Sequence, residues 1–472
     1  MFLCREQELK LLQKRYEKNS LECVVIYGRR RVGKTALIQE FVKDKPVIFF
    51  PALQANARDN LAALSKAIHT YLHPGTKEAP VYSSFDAAFS AITDIASEQQ
   101  HVVFVIDELP YLVEADKSIP SRLQHLLDHD WKNSSLFVIL CGSSMSFMEK
   151  KVLSEKSPLF GRRTLQMKIE PLTYRETAKF HPELSPETNA LIYGITGGIP
   201  HYINKLDVHD DIKDALLDNF FSPYSYLFEE PENLLKQELR EPAVYNSIIT
   251  AIANGSAKLN EISDAVGIES SACLSYIKVL SELEIVSKIE PIVDRTKRKK
   301  LYRISDNFFR FWYRFVPGNL LPIQNGTIYR AYDDIIGSYL PDYMGLVYEE
   351  ICRQYLSFYA EDLPFVIGDI GEWWGTHPKR KKEVQLDIVA TDIKGNNQTN
   401  SRKYIIGSCK YRNEKIGIDE LELIQDYSST FTKSSDENFY YLFSKSGFSR
   451  SLLNLSDQKN VKLISLEEMY DS

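Results

Sequence analysis

The sequence lacks the features of a membrane, secreted or zinc-binding protein. No apolar run approaches the roughly 20 residues that a membrane-spanning helix needs. The N-terminal segment is already charged at Arg5 and Glu6, so it has no apolar stretch of signal-peptide length. The six cysteines are scattered and form no Cys-x-x-Cys pair, which argues against a disulfide framework or a zinc site. Together these absences favour a cytoplasmic protein without a membrane partner.

The chain also lacks an excess of positive charge and any internal repeat. Its net charge is −7, so a contact with nucleic acid must come from local basic patches. Hydrophobic residues make up 44% and charged residues 26%, which is ordinary for a globular protein. A length of 472 residues is too great for one hydrophobic core and predicts about three domains.

A phosphate-binding loop is the most specific motif in the chain. The apolar residues 24–27 run into Gly28, four residues follow, and then come Gly33, Lys34 and Thr35. The glycines let backbone N–H groups approach an anion. Lys34 would supply charge to the β- and γ-phosphates of a nucleoside triphosphate, and the Thr35 hydroxyl would bind Mg²⁺. The predicted nucleotide-binding residues are Gly28, Arg29, Arg30, Arg31, Val32, Gly33, Lys34, Thr35 and Ala36.

Further apolar runs predict a parallel sheet around this loop. Runs at about 46–50, 101–106 and 135–141 are separated by helical patterns, which is typical of a sheet covered on both faces. Ligands bind at the carboxyl ends of such strands, where Asp107 and Glu108 fall. Asp107 would hold the Mg²⁺ shell and Glu108 would polarise the attacking water. The simpler alternative is that both acids cap the next helix.

Two more segments contribute candidate catalytic residues. Ser143 follows a strand, where its hydroxyl could contact the γ-phosphate or the attacking water, or could belong to a serine-rich turn. Arg162 and Arg163 precede another strand and could reach a phosphate in the same or a neighbouring subunit, although surface arginines are common. The predicted catalytic residues are Lys34, Glu108, Ser143, Arg162 and Arg163.

These motifs together resemble the archaeal-type ATPase family, an AAA-like group of P-loop proteins. The resemblance covers about residues 1–235 and rests on the segments 2–9, 28–35, 107–112, 141–144, 158–163 and 196–202. It implies ATP as the nucleotide, with Mg²⁺, and a helical lid. It also implies that Arg5 lies near the adenine and that Ser143 or Ser144 occupies the sensor position. The chain departs from the family at Leu3 and Cys4, where members often have Val-Gly.

The segment after about residue 238 predicts a winged helix-turn-helix. Helical patterns at 245–253, 258–267 and 271–285 precede two apolar strands, about 287–292 and 300–304. The third helix has few base-reading residues, so DNA contact is expected mainly through phosphates. A solvated hairpin and a protein-binding winged helix are the alternatives. The predicted DNA-contacting residues are Arg295, Lys297, Arg298, Lys299 and Lys300, with Arg303 as a sixth positive charge.

An aromatic and basic run, residues 307–315, follows the winged-helix pattern. Such a run could stack on single-stranded bases. Its spacing is also that of a core helix that connects two domains, and we favour this second interpretation.

The remaining residues, about 319–472, predict an α/β domain. A strand pattern at 383–390 carries Asp387, and the next, at 403–411, carries Lys410. A carboxylate and a lysine on neighbouring strands are typical of metal-dependent phosphodiesterases. This segment resembles the restriction-endonuclease-like (DUF234-type) domain that is usually attached to such ATPases. The resemblance puts Asp387 and Glu349 at a second metal site, near Lys410.

The C-terminal segment departs from the nuclease pattern at two positions. Ser408 and Gln385 stand where the nuclease pattern has carboxylates, so metal affinity should be low. A degenerate nuclease fold retained for DNA or protein binding is therefore the favoured interpretation of this segment.

The overall prediction is an α/β chain in four parts. They are a P-loop ATPase core with a parallel sheet (1–180), a helical lid (181–237), a winged helix-turn-helix (238–316) and an α/β nuclease-like domain (317–472). The predicted function is an ATP-hydrolysing switch that couples nucleotide state to DNA contact. A nuclease regulated by the ATPase and a slow-turnover signalling scaffold that recruits a protein partner are the alternatives. The sequence leaves the existence of a homo-oligomer open.

Overall fold

The computed structural model describes residues 2–75, 78–99, 101–206, 208, 211–293, 300–393, 401–455 and 460–471. The chain divides into two compact units. The first contains Met1–Pro171 and Ile199–His201, and the second contains Leu172–Gly198 and Tyr202–Ser472. The four domain boundaries given above stay predictions.

The first unit alternates helices and strands. Its elements are α1 (Glu6–Tyr16), β1 (Glu22–Tyr27), α2 (Lys34–Val42), β2 (Val47–Pro51), α3 (Ala57–Leu72), α4 (Phe85–Glu98), β3 (Val103–Asp107), α5 (Leu109–Ala115), α6 (Ile119–Asp128), β4 (Phe137–Gly142), α7 (Met145–Phe147), a π-helical turn (Met148–Val152) and β5 (Leu165–Lys168). The strands form a parallel sheet in the order β2-β3-β4-β1-β5, so the predicted parallel sheet is confirmed. Strands β1, β3 and β4 are buried along their whole length, which explains their continuous apolar runs.

The strand register brings the ends of the central strands to one edge of this sheet. Tyr27, the last residue of β1, lies opposite Gly142 of β4, and Pro51 of β2 lies opposite Asp107 of β3. Residues that directly follow β1, β3 and β4 therefore meet at the same edge, the usual ligand-binding edge of such sheets.

The second unit is larger and begins with helices. Its elements are α8 (Tyr174–Ala178), α9 (Pro186–Thr196), α10 (Pro200–Ile203, whose first two residues belong to the first unit), α11 (Ile212–Phe220), α12 (Tyr226–Glu238), α13 (Pro242–Ala253), α14 (Leu259–Val266), α15 (Ser270–Glu282), β6 (Val286–Ile289), β7 (Leu301–Ile304), α16 (Asn307–Phe315), α17 (Leu320–Gln324), α18 (Tyr332–Ile335), α19 (Leu340–Gln354), β8 (Ile367–Thr376), β9 (Glu383–Asp392), β10 (Lys403–Lys410), α20 (Ile418–Ser428), β11 (Glu437–Ser444), α21 (Arg450–Leu453), β12 (Val461–Ser465) and α22 (Leu466–Tyr470). Short 3₁₀ turns (Pro317–Asn319, Thr327–Tyr329, Gly337–Tyr339) and a π-helical turn (Tyr355–Tyr359) connect some of them.

A winged helix-turn-helix is formed by α13–α15 with the antiparallel pair β6–β7, as the sequence predicted. Gly267, with φ +75°, ends α14 in the left-handed region that favours glycine. Helix α15 packs through Cys273, Ile277 and Leu280, which are buried.

The C-terminal sheet has the order β12-β11-β10-β9-β8. Strands β8, β9 and β10 pair antiparallel, whereas β10, β11 and β12 pair parallel. Helices α19 and α20 contact β9 and β10 of this sheet. The α/β fold that the sequence predicted for the C-terminal segment is thus confirmed.

The aromatic run forms helix α16, and it is a core helix. Its buried residues are Asn307, Phe308, Phe309, Phe311, Trp312, Tyr313 and Phe315. The Trp312 indole donates to the carbonyl of Phe228 at 2.7 Å, and the Tyr313 hydroxyl donates to Asn246 Oδ1 at 2.6 Å. Because these bonds reach α12 and α13, the core interpretation is confirmed over base stacking.

Across the described ranges, every helix is too short or too polar to cross a membrane.

Candidate functional site

The loop after β1 has the backbone that phosphate binding requires. Gly28 has φ +152°, and a Cβ there would lie 2.4 Å from the carbonyl oxygen of Ile169. Gly33, with φ +95°, is the N-cap of α2, so the helix begins directly at Lys34. Arg31 has φ +71°, a conformation that arginine rarely adopts and that is often found at ligand sites. Only glycine fits at position 28, which accounts for the motif at that end.

Lys34 is buried within the loop that precedes it. Its Nζ donates to the carbonyl oxygens of Gly28 and Arg29 at 2.9 and 2.8 Å. Burial lowers the pKa of Lys34, while the nearby Glu108 and Asp107 act in the opposite direction. An anion bound in the loop would therefore stabilise the ammonium form of this lysine.

Thr35 and Asp107 form a ready pair of oxygen ligands. The Thr35 hydroxyl donates to Asp107 Oδ2 at 2.8 Å, although the two residues come from α2 and β3. Asp107 is only 6% exposed, and its Oδ1 accepts the backbone N–H of Glu108 at 3.1 Å. A hydroxyl and a carboxylate at the end of a phosphate-binding loop suit Mg²⁺, so the residues present fit this cation.

Glu108 is bound by Ser143 across the edge of the sheet. Its Oε2 accepts the backbone N–H of Ser143 at 3.1 Å and the Ser143 hydroxyl at 2.9 Å. Glu108 has φ +56° and is the N-cap of α5, but its side chain makes no capping hydrogen bond. The capping alternative is therefore not supported for Glu108, and its carboxylate faces Ser143 instead.

Arg5 supports the loop from the N-terminal side. It is 8% exposed and donates to the carbonyl oxygens of Glu170 and Val32 at 2.6 and 3.3 Å. Arg30 donates to the Tyr111 hydroxyl at 2.7 Å. These contacts bring Arg5 to the loop itself, and its contact with adenine stays a prediction.

The remaining loop residues that the sequence singled out differ in exposure. Arg29 and Val32 are buried, whereas Thr35 and Ala36 at the start of α2 are exposed. The exposed start of α2 is where its first N–H groups are open to a ligand.

Arg162 and Arg163 already have protein partners. The Arg162 Nε and Nη2 donate to the two carboxylate oxygens of Asp128, each at 2.8 Å, and its Nη1 donates to carbonyls within 158–160. Arg163 donates to the carbonyl of Leu153 at 3.2 Å. A phosphate contact would require these bonds to break, so the catalytic role of both arginines stays a prediction.

Asp387 and Lys410 lie together in the second unit. Lys410 Nζ is 3.9 Å from Asp387 Oδ2, and the backbone N–H of Cys409 donates to the same oxygen at 2.9 Å. Burial raises the pKa of Asp387, while Lys410 lowers it.

Glu420, on α20, is a carboxylate that no sequence motif indicated. Its Oε1 accepts the Ser408 hydroxyl at 2.7 Å and lies 3.1 Å from Lys410 Nζ. It is 7% exposed. A carboxylate from a helix thus contacts Ser408, the position where the sequence lacks the expected acid. The only sequence signal was an acidic residue in the first turn of a helix, a common capping feature.

Glu349, on α19, lies near these residues. Arg353 Nη1 is 3.6 Å from Glu349 Oε2 and donates to the carbonyl of Asp387 at 3.2 Å. Burial raises the pKa of Glu349 to about 7, and the charge of Asp387 adds to the effect.

Glu372, on β8, is a second carboxylate without a sequence signal and connects the winged helix to the C-terminal sheet. Arg303, on β7, contacts both of its oxygens, at 2.9 and 3.1 Å. Gln385 donates to Glu372 at 3.4 Å, and the backbone N–H of Ile292 donates to the Glu372 carbonyl at 3.1 Å. We call the following residues the acid–base cluster: Glu349, Glu372, Asp387, Glu420, Arg303, Arg353 and Lys410. In the part of the chain that the structure describes, no group of three or more His, Cys, Asp or Glu side chains is arranged to hold a metal ion.

Both strands of the basic hairpin are described, whereas residues 294–299 between them are not. Arg295, Lys297, Arg298 and Lys299 lie outside the described residues. Lys300 is described, and its Nζ lies 3.6 Å from Glu290 Oε1. Together with Arg303, which pairs with Glu372, this shows that two of the six positive charges already face acids.

Two known families match this chain. Residues 2–206 match a family described as an ATPase domain predominantly from Archaea. Residues 312–421 match a family of archaeal and bacterial proteins of unknown function.

Two individual proteins and one solved structure are also similar to this chain. An uncharacterized protein of Methanocaldococcus jannaschii is 32% identical over 461 residues, which is 95% of this chain and 100% of that protein. An uncharacterized ATP-binding protein of the same organism is 43% identical over 47 residues, 10% of this chain and 80% of that protein. The solved structure of a Walker-type ATPase of Pyrococcus abyssi has a TM-score of 0.50 and 19% identity, covering 66% of this chain and 96% of that one. At this identity the likeness concerns the fold.

Proposed function

Because the chain belongs to the archaeal-type P-loop ATPase family, we propose that it is a switch protein that binds and hydrolyses ATP with Mg²⁺ and couples ATP state to DNA contact. One observation carries the ATPase part. The hydroxyl of Thr35, at the end of the phosphate-binding loop, is bonded to Asp107, and Glu108 follows directly on the same edge of the sheet. A cation ligand pair and a candidate base are thereby adjacent.

Each residue then has one role in hydrolysis. The N–H groups of the loop and the start of α2 bind phosphate oxygens, and Lys34 turns from its loop carbonyls to the β- and γ-phosphates. Thr35 and Asp107 would hold Mg²⁺, which would offset the charge on the transferred phosphoryl group. Glu108 orients and polarises the attacking water.

The bond between Glu108 and Ser143 supports a switch that senses the γ-phosphate. The Ser143 hydroxyl now donates to Glu108. A γ-phosphate that accepted this hydroxyl instead would leave Glu108 bonded to Ser143 through the backbone N–H alone, and the carboxylate would then have an open position for the attacking water. This makes Ser143 a positioning residue for Glu108.

Variants of the loop and of Glu108 test the ATPase. We expect Glu108→Gln to lower ATP turnover by about 10²- to 10⁴-fold while ATP affinity is retained, because the base is removed but the loop remains. Lys34→Ala should lower both. Glu114→Gln and Lys43→Ala, exposed residues on the neighbouring α5 and just after α2, serve as controls. Wild-type affinity and turnover in Lys34→Ala would refute the proposal.

The DNA contact is proposed for the winged helix, through the phosphate-contacting residues Arg295, Lys297, Arg298, Lys299 and Lys300. The order of α13–α15 and β6–β7 supports it. If Lys297, Arg298 and Lys299 are replaced by neutral residues, the plot of log affinity against log salt concentration should become less steep. The slope should decrease by roughly 0.9 for each DNA phosphate contact that is lost. Neutralising the exposed Lys10 and Lys14 of α1 is the control. An unchanged affinity would reject the hairpin as the DNA-binding element.

ATP turnover with and without DNA, together with the mass in solution, tests the coupling and the presence of a homo-oligomer. Turnover that DNA changes supports the switch. Tight nucleotide retention with negligible DNA affinity would favour a slow-turnover scaffold that recruits a protein partner instead.

A metal-dependent nuclease is a second candidate, favoured by one observation. Glu420 supplies a carboxylate at Ser408, beside Asp387 and Lys410. Nicking of plasmid DNA with Mg²⁺ or Mn²⁺ that Asp387→Ala and Lys410→Ala abolish, and that the exposed Glu422→Ala leaves intact, would establish it. Intact plasmid with either metal would end this candidate.

A further inference from the structure

A cavity of about 340 Å³ is lined by residues of the second unit, whereas the residues of the candidate nucleotide site belong to the first. It is lined by the end of α13, by β7, by α16 and by the start of α19. Its charged lining residues are Arg303, Arg310, Arg314 and Asp342. We call it the arginine cavity. Three guanidinium groups and one carboxylate line the cavity, and Arg303 and Arg310 also have acidic partners, Glu372 and Glu350.

Two of these arginines come from the aromatic and basic run. Arg310 and Arg314 are four residues apart on α16, so they lie on one face of the helix. The aromatic side chains of the same helix are buried in the core. The two kinds of residue in the run therefore have separate roles, since the aromatic side chains build the core and the two arginines line the cavity.

The arginines of the cavity differ in how many of their N–H groups already have an acceptor within the protein. Arg303 is matched by Glu372 through two short contacts. Arg310 is 12% exposed, lies 3.7 Å from Glu350 and donates through Nη2 to Asn307 Oδ1, but its Nε is buried without a hydrogen-bond acceptor in the described part of the chain. Buried N–H groups usually have a partner, and a charged one gains most from an anionic partner. Arg314 is exposed at the edge of the cavity.

We propose that the arginine cavity binds a phosphate group. The guanidinium is planar and presents paired N–H donors that match phosphate oxygens, and a volume of about 340 Å³ admits a phosphate with part of the group that carries it. The phosphate belongs either to a nucleic-acid backbone or to a free phosphorylated molecule. The backbone version rests on the proposed DNA contact, whereas phosphate binding itself rests on the cavity alone.

Variants of Arg310, whose Nε has no acceptor among the described residues, and of the exposed Arg314 test the proposal in the full chain. The nucleotide site is first saturated with ADP and Mg²⁺. Binding is then measured by calorimetry with inorganic phosphate and by fluorescence anisotropy with a labelled 20-base-pair duplex over a series of KCl concentrations. We expect Arg314→Gln to weaken phosphate binding about tenfold, the loss of one charge-assisted bond, and Arg310→Gln to do the same. Arg330→Gln, an exposed arginine elsewhere in the second unit, should bind as the wild type.

The two probes identify the source of the phosphate. Weaker duplex binding, with a salt slope smaller by about 0.9, assigns the cavity to the nucleic-acid backbone. Weaker binding of inorganic phosphate alone assigns it to a free phosphorylated ligand. Wild-type protein that binds neither probe, or Arg314→Gln and Arg310→Gln that bind both as the wild type does, overturns the proposal. ATP turnover is measured in parallel, and since no step here depends on it, failure of the ATPase proposal would be recognised separately.

Discussion

Substitution of Glu349 by glutamine tests the acid–base cluster through its effect on stability. Glu349 is 12% exposed, on α19. Burial, followed by the charge of Asp387, raises its pKa from 4.5 to about 7, although Arg353 acts in the opposite direction. We therefore expect Glu349→Gln to stabilise the folded protein at pH 8 and to have little effect at pH 5.

The direction of this stability change follows from the pKa of Glu349 in the unfolded chain and in the folded chain. Below pH 4.5 the Glu349 carboxyl is neutral in both the folded and the unfolded chain, and the stability associated with its raised pKa is fully present. As the pH rises towards 7, the unfolded chain loses this proton first, so the free energy of unfolding decreases. Each pKa unit corresponds to about 1.4 kcal/mol, so the loss approaches about 3 kcal/mol by pH 8. Glutamine has a similar shape and no proton to lose, and it should recover most of this loss.

Urea unfolding at pH 5 and pH 8, followed by tryptophan fluorescence, measures the effect. Trp373 and Trp374 lie on β8, within the sheet that packs against α19. The exposed Glu422→Gln, on α20, is the control and should shift neither midpoint. The reasoning would be refuted if the difference between wild type and Glu349→Gln were the same at both pH values, or if the variant were less stable at pH 8.

Two further predictions concern the loop and the backbone of the second unit. Asp107→Asn should weaken Mg²⁺ affinity in the presence of ATP by about 10- to 100-fold, because the carboxylate that accepts from Thr35 is removed. Titration with a fluorescent ATP analogue, with and without Mg²⁺, measures this affinity. An unchanged Mg²⁺ dependence would contradict the prediction. Gly198→Ala should destabilise the chain by more than about 3 kcal/mol, because its Cβ would lie 1.9 Å from the Leu172 carbonyl oxygen. Gly326→Ala has a similar φ, +73° against +67°, and open space, so it should cost only about 1–2 kcal/mol in the same urea titration. Equal losses of stability for the two alanines would contradict the clash.

The meeting of the phosphate-binding loop with Asp107 and Glu108 at one edge of the first sheet was predictable, because it depends on a short motif and on a strand pattern that repeats along the chain. The loop glycines and Lys34 stand in one short segment, and the strand before Asp107 is continuously apolar. Burial on both faces of a parallel sheet produces such runs, and the ends of its strands meet at one edge. The pairing of Thr35 with Asp107 then follows from topology, although they are far apart in sequence.

The hydrogen-bond and ion-pair partners of Ser408, Arg303 and Arg162 were not predictable, because these partners are distant in sequence and follow no motif or repeat. Glu420 contacts Ser408 because helix α20 packs on β9 and β10, and no spacing in the sequence specifies which residue of that helix faces the strand. Arg303 was counted as a free charge of the hairpin, but it is paired with Glu372 on a strand that belongs to another part of the chain. In the same way, Arg162 is held by Asp128, a residue that sequence patterns do not single out.

The charge balance of the two candidate cation sites favours the pair Thr35 and Asp107 over the acid–base cluster as the place where a divalent cation binds. Asp107 accepts hydrogen bonds from a hydroxyl and a backbone N–H, both neutral donors, and the nearby ammonium of Lys34 donates to loop carbonyls, so both carboxylate oxygens of Asp107 remain available to a cation. In the acid–base cluster each carboxylate faces a resident base: Glu372 faces Arg303, Glu349 faces Arg353, and Asp387 and Glu420 share Lys410. A divalent cation there would have to displace an ammonium or a guanidinium group, and a buried base left without its acid is costly. The Mg²⁺ dependence of ATP turnover should therefore appear at cation concentrations well below those that any cleavage of DNA requires.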